Sequence, residues 1–83
     1  MIKEKNKLPS WFNGELYEEG GFVGNRFSGE EYELNNVELS MYDFIIGATM
    51  CLEMRLPVNV EELRAGLRWF RVNNPKAYMV LLD

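Results

Sequence analysis

The chain contains no histidine, a single cysteine (Cys51) and only two aspartates, Asp43 and Asp83. Without histidine it lacks the side chain that most often serves as a general base near neutral pH, and also the commonest zinc ligand. Metal binding would fall to carboxylates or to Cys51, yet no D-x-D or D-x-N-x-D run offers a calcium or magnesium loop. The glycine patterns that cradle phosphates, G-x-G-x-x-G and G-x-x-x-x-G-K, do not occur either. A lone cysteine forms no internal disulfide, and no Lys/Arg-led apolar segment with a small-residue cleavage site opens the sequence, so a reducing, cytoplasmic setting is expected.

Long hydrophobic runs are also missing. The longest, Phe44 to Leu52, is interrupted by Gly47 and Thr49 and followed by Glu53, far short of the ~20 residues that span a membrane. Nor is there an excess of positive charge. The net charge of −4 opposes general nucleic-acid binding, whose affinity comes mainly from neutralising phosphates. These absences argue against an enzyme, a cofactor or a membrane role, and make nucleic acid an unfavoured partner.

What is present is a core rich for its size. Of 83 residues, 47% are apolar and 13% aromatic, enough for one domain near the lower limit of independent folding. Residues 1–8 carry Lys3, Lys5 and Lys7 against Glu4 without a periodic apolar pattern, and read as a flexible basic tail. Residues 9–83 read as a single compact α+β domain. Charge within it is polarised: Pro9 to Asp43 holds eight acidic residues against Arg26, whereas Phe44 to Asp83 holds five basic residues against four acidic.

The acidic half also holds five of the seven glycines, spaced like turns between short strands. Leu16-Tyr17-Glu18, Gly20-Gly21 and Phe22-Val23 predict a hairpin, and Glu31 to Leu34 alternates polar and apolar like a half-buried strand. Asn25 to Gly29 supplies the loop between Val23 and that strand. Ser40 with Asp43 three residues later predicts a helix cap, Asn36 being an alternative one turn earlier, and Leu39 and Phe44 take the positions of a hydrophobic staple. The resulting helix, Ser40 to Arg55, is apolar round nearly its whole circumference, which predicts a buried spine.

Pro57 ends that helix by disfavouring helical geometry at Leu56. Asn59 then caps a second helix with Glu61 and Glu62 in its first turn, where the dipole favours acids. Its apolar stripe is Val60, Leu63, Leu67 and Phe70, with Gly66 beside it allowing a neighbour to approach closely. Pro75 suits the first position of a shorter third helix through Leu82. The predicted fold is therefore α+β: a small N-terminal β-hairpin or short antiparallel sheet followed by two to three C-terminal helices.

Arg64, Arg68 and Arg71, four and three residues apart, fall on one helical face beside Trp69. Guanidinium forks match carboxylates and phosphates, and tryptophan beside arginine is the composition of an interface anchor. Trp11-Phe12 is a second aromatic pair of that kind. Such a stripe is more commonly a solvated face, with Glu61 pairing to Arg64 and the acidic half neutralising the rest, and a domain this small tends to bury its large aromatics. Cys51, mid-helix among apolar neighbours, reads as inert. Asp43 and Glu53 lie ~15 Å apart along one helix, too far for a paired-carboxylate mechanism.

Four segments, Trp11 to Gly14, Asn25 to Glu30, Glu38 to Asp43 and Trp69 to Asp83, together resemble a family of short proteins encoded by marine phages, especially those infecting cyanobacteria. Arg26 stands where members of that family often have proline. The family has no established activity, so the resemblance transfers no catalytic or ligand residues. It implies a phage product made in a bacterial cytoplasm, either a virion component or a small protein acting on host or phage machinery. The expected function is a non-enzymatic protein-interaction module, binding a host or phage protein or its own copies through Arg64, Arg68, Arg71, Trp69, Trp11 and Phe12. The alternatives are a nucleic-acid-associated regulator using the arginine face and a minor virion structural protein.

Overall fold

The computed structural model describes residues 8–12 and 14–82. In chain order they form β1 (Gly21–Gly24), β2 (Glu31–Leu34), α1 (Asn36–Glu53), α2 (Val60–Asn73) and α3 (Pro75–Leu81). The two strands pair antiparallel with Gly21 opposite Leu34 and Val23 opposite Tyr32. Alternation along β2 turns Tyr32 and Leu34 inward and Glu31 and Glu33 to solvent. This is the expected α+β order, a small hairpin followed by three helices. Of the predicted tail only Leu8 lies within the described residues, and it packs half-buried against the core.

The hairpin differs from its prediction in one strand. Leu16 to Glu18 forms no strand and Gly20-Gly21 no turn; β1 begins at Gly21 and pairs across the Asn25 to Glu30 loop. The reason is steric. A Cβ on Gly20 would lie 2.0 Å from the Leu34 carbonyl oxygen and 2.8 Å from the Asn35 backbone, so Gly20 is there to let two backbones cross. The segment before it runs over α1 as a strap. The Tyr17 amide donates to Ser40 Oγ at 2.9 Å, its carbonyl accepts from Asn36 Nδ2 at 3.1 Å, and its hydroxyl donates to Asp43 Oδ2 at 2.9 Å.

Helix α1 also starts earlier than predicted. Its cap is Asn35, whose side chain accepts from the Glu38 amide at 2.8 Å while Glu38 Oε1 accepts from the Asn35 amide at 3.0 Å. Ser40 is therefore inside the helix and buried, its hydroxyl donating to the Asn36 carbonyl at 2.8 Å. The staple positions move with the cap, to Leu34 and Leu39. Glu38 is only 7% exposed, and its second oxygen accepts from Asn74 Nδ2 at 3.1 Å. Asn74 in turn caps α3 by accepting from the Ala77 amide at 3.1 Å. One buried carboxylate thus ties the start of α1 to the joint between α2 and α3.

The other end of α1 is closed by a Schellman motif: the Arg55 amide donates to the Leu52 carbonyl at 3.1 Å and the Leu56 amide to the Cys51 carbonyl at 2.8 Å. The geometry places Arg55 at φ 62°, a left-handed conformation that costs a residue with a Cβ ~1–2 kcal/mol. Arg55→Gly should accordingly raise stability by about 1 kcal/mol, after allowing for glycine's larger unfolded-state entropy. Urea denaturation reads this directly, and a lower midpoint for the variant would refute the strain.

The core gathers Leu34, Met41, Tyr42, Ile45, Ala48, Leu63, Phe70, Ala77 and Leu81. Gly66 meets its prediction: a Cβ there would stand 3.1 Å from Met41 Sδ and 3.4 Å from Ile45 Cγ1, so its absence sets the closeness of α1 and α2. Asn59 and Pro75 also take their expected places at the starts of α2 and α3. Two expectations of burial fail. Val60, at the open first turn of α2, is exposed, and α1 is a buried spine only as far as Ala48, since Met50, Leu52, Met54 and Leu56 emerge into solvent beyond it.

Two phenols respond to this packing. Burial pushes Tyr42 above the ordinary 10.0, with Arg26 pulling weakly the other way, and the hydrogen bond to Asp43 raises Tyr17. Because both folded-state values lie above the unfolded one, their stabilisation is complete below pH ~10 and is lost as pH rises through the raised values. Thermal midpoints should therefore decline in that alkaline range, and Tyr17→Phe should remove part of the decline. Identical alkaline profiles for the two proteins would contradict the Tyr17 contribution.

Candidate interaction surface

The outward side of α2 brings together residues distant in sequence. Pro9 and Trp11 from the strap side and Ala65, Arg68 and Trp69 from the helix line a groove of about 270 Å³. The surface continues past Ala65 in two directions, toward Asn59, Glu61 and Glu62 beside Trp11 and toward Arg64 beside Arg68. Both tryptophans are half-buried, each presenting part of its ring to the groove. Trp11 is held from behind by Phe44, with ring centroids 5.7 Å apart, and Trp69 by Phe70 at 6.3 Å. Fixed aromatics of this kind lose little entropy when a partner covers them. Asn73 donates from Nδ2 to the Trp69 carbonyl at 2.8 Å, while its buried Oδ1 meets no donor among the described residues.

Arg64 and Arg68 are exposed, and among the described residues no carboxylate lies within ion-pair distance of either. The expected neutralisation by Glu61 or by the acidic half is not made. The ion pair that is described lies elsewhere, between Arg26 and Glu53 at 3.3 Å. Arg71 lies beside Tyr78, its guanidinium carbon 6.0 Å from the ring centre; of the three arginines Arg68 lines the groove and Arg64 the surface that continues from it. Phe12 also lies apart. Its ring packs edge-on against Phe44 at 5.7 Å and lies beneath Gly14, whose Cβ position would be 2.8 Å from Phe12 Cζ. It packs beside Trp11, with ring centroids 6.3 Å apart.

A second surface was not anticipated from the sequence. The loop Asn25 to Glu30 holds Phe27 88% exposed, at the rim of an apolar recess of about 260 Å³ floored by Ile45, Ile46, Leu67 and Leu81. The available signal was an aromatic residue within an Asn-Arg-Phe-Ser-Gly turn, where turn geometry asks only for Asn, Ser and Gly.

Among the described residues no three His, Cys, Asp or Glu side chains are grouped so as to hold a metal ion, and no described helix is long and apolar enough to cross a membrane. Comparisons with protein-family models, curated proteins and solved structures found no match.

Proposed function

We propose that this protein is a non-enzymatic interaction module that docks a protein partner on the α2 face, with Trp11 and Trp69 as anchors and Arg64 and Arg68 as orienting charges. The observation that carries this reading is that, among the described residues, neither arginine has a carboxylate partner and both stand beside a groove walled by two tryptophans. Burial of such aromatics dominates interface energies, whereas exposed arginines mainly steer approach and set register. In the cytoplasm of a phage-infected bacterium, the setting implied by the resemblance, the partner is a host or phage protein carrying acidic side chains around an apolar anchor.

Nucleic acid suits this face less well. Glu61 and Glu62 line the same surface as Arg64 and Arg68, so a phosphate backbone laid along α2 would meet carboxylates as well as guanidinium groups. A titration with mixed DNA and RNA is expected to give no binding at low salt, and steep salt-dependent binding would replace the protein-docking reading. The direct test is affinity capture from infected-cell lysate with wild type, Trp69→Ala and the double variant Arg64→Glu/Arg68→Glu. A protein retained by wild type and lost by both variants is the expected result. Retention of the same proteins by all three, or of none at any salt concentration, would overturn the proposal.

A further inference from the structure

The Phe27 loop is built to hold an apolar ring in water. Asn25 Oδ1 accepts from the Phe27 and Ser28 amides at 2.7 and 2.9 Å, and the Asn25 amide donates to the Glu30 carbonyl at 2.8 Å. Gly29, at φ 78°, supplies the left-handed residue that closes the turn. The loop is fastened to the body at three points. Asn25 Nδ2 donates to the Val80 carbonyl in α3 at 2.8 Å, the Tyr42 hydroxyl donates to the Gly24 carbonyl at 3.3 Å, and Arg26 pairs with Glu53 at the end of α1. Folding alone does not call for phenylalanine at the tip of so well-tied a loop, since its ring touches little of its own chain beyond the Arg26 guanidinium, 5.4 Å from its centre.

Beside the ring lies the apolar recess already described, with Arg26 and Glu53 on its rim. One patch therefore carries a protrusion, a recess, a cation and an anion. A twofold interface joins the same patch on both subunits and requires it to be self-complementary. This patch meets that requirement in shape and in charge. A partner with a fixed excess of either sign would match only half of it.

We infer that the hairpin tip is the contact of a symmetric homodimer, in which Phe27 of each copy enters the recess of the other. Arg26 of each subunit then faces Glu53 of its partner across the twofold axis, joining the two ion pairs into one network. The α2 docking face takes no part.

Sedimentation equilibrium over a wide concentration range tests the inference. Wild type should dimerise, and Phe27→Ser should weaken the dimer at least tenfold while leaving the thermal midpoint of the monomer in place, because the loop's hydrogen bonds are made by Asn25 and the backbone. Arg26→Glu and Glu53→Arg should each abolish self-association, since each sets like charges against one another across the axis. Mixing the two single variants should restore a heterodimer, in which both opposed pairs again have opposite signs. The double variant Arg64→Glu/Arg68→Glu should dimerise like wild type. A wild-type monomer at every concentration, a Phe27→Ser protein that associates unchanged, or a mixture that regains nothing would each overturn the inference.

Discussion

Replacing Glu38 with alanine should lower stability by about 2–3 kcal/mol, because it removes a buried acceptor shared by two part-buried hydrogen bonds. The Asn35 amide would lose its partner at the cap of α1, and Asn74 Nδ2 would lose its partner between α2 and α3. Each unsatisfied buried group costs ~1–3 kcal/mol. A domain of this length holds only ~4–12 kcal/mol in all, so the thermal midpoint should fall by more than ~10 °C. Glu38→Gln is the sharper version. Its single carbonyl oxygen can serve one donor, and its amide nitrogen must then confront the other, so it should fall between wild type and alanine and not restore full stability. A double-mutant cycle with Asn74→Ala should return a coupling of at least ~1 kcal/mol. Midpoints for both Glu38 variants close to that of wild type would show that the carboxylate is dispensable.

The second large effect is expected at Gly20. Alanine there would place Cβ 2.0 Å from the Leu34 carbonyl oxygen, a backbone atom at the join of β2 and α1 that no rotamer change can move. Relief requires the strap to lift from α1, at a cost at or above the upper end of the ~1–3 kcal/mol typical of overpacking. Gly21→Ala is the matched control, since nothing lies within 4 Å of a Cβ at that position, and it should stay within ~0.5 kcal/mol of wild type. A Gly20-Gly21 turn would make both glycines matter. Equal effects at the two positions would therefore contradict the crossing.

That contrast shows where the sequence could be read and where it could not. Features set by neighbours in sequence were legible: the Asn59 cap, Pro75 at the start of α3, the alternation of Glu31 to Leu34, and the small residue at Gly66. The cap of α1 was legible in principle, since Asn35-Asn36-Val37-Glu38 is itself a capping-box pattern, but Ser40 with Asp43 offered a rival five residues further on. What decided between them was the strap. It occupies the Ser40 hydroxyl through the Tyr17 amide, a contact across 23 residues that no local pattern encodes. Gly20 escaped for the same reason, because a close crossing and a turn both ask for glycine.

The candidate surface divides along the same line. Helical spacing brought Arg64 and Arg68 to one side, but whether that side was open depended on where the acidic half folded. Two of its carboxylates went elsewhere: Glu38 into the core and Asp43 to Tyr17. That Trp11 would stand opposite Trp69 was beyond any periodicity. The contact of Arg71 with Tyr78, one helix later, is likewise one that helical spacing alone does not show.

The strap gives the α2 groove an unequal pair of walls. Trp69 belongs to a fourteen-residue helix packed on the core, whereas Trp11 belongs to a segment whose described hydrogen bonds to α1 all pass through Tyr17 or its peptide group. Lifting that segment would uncover Phe44 and leave the groove open on one side without unfolding a helix. Under the docking proposal, occupancy of the groove and attachment of the strap become one equilibrium viewed from two ends: a ligand that grips Trp11 should protect the Tyr17 amide from exchange, and loosening Tyr17 should weaken a ligand it never touches.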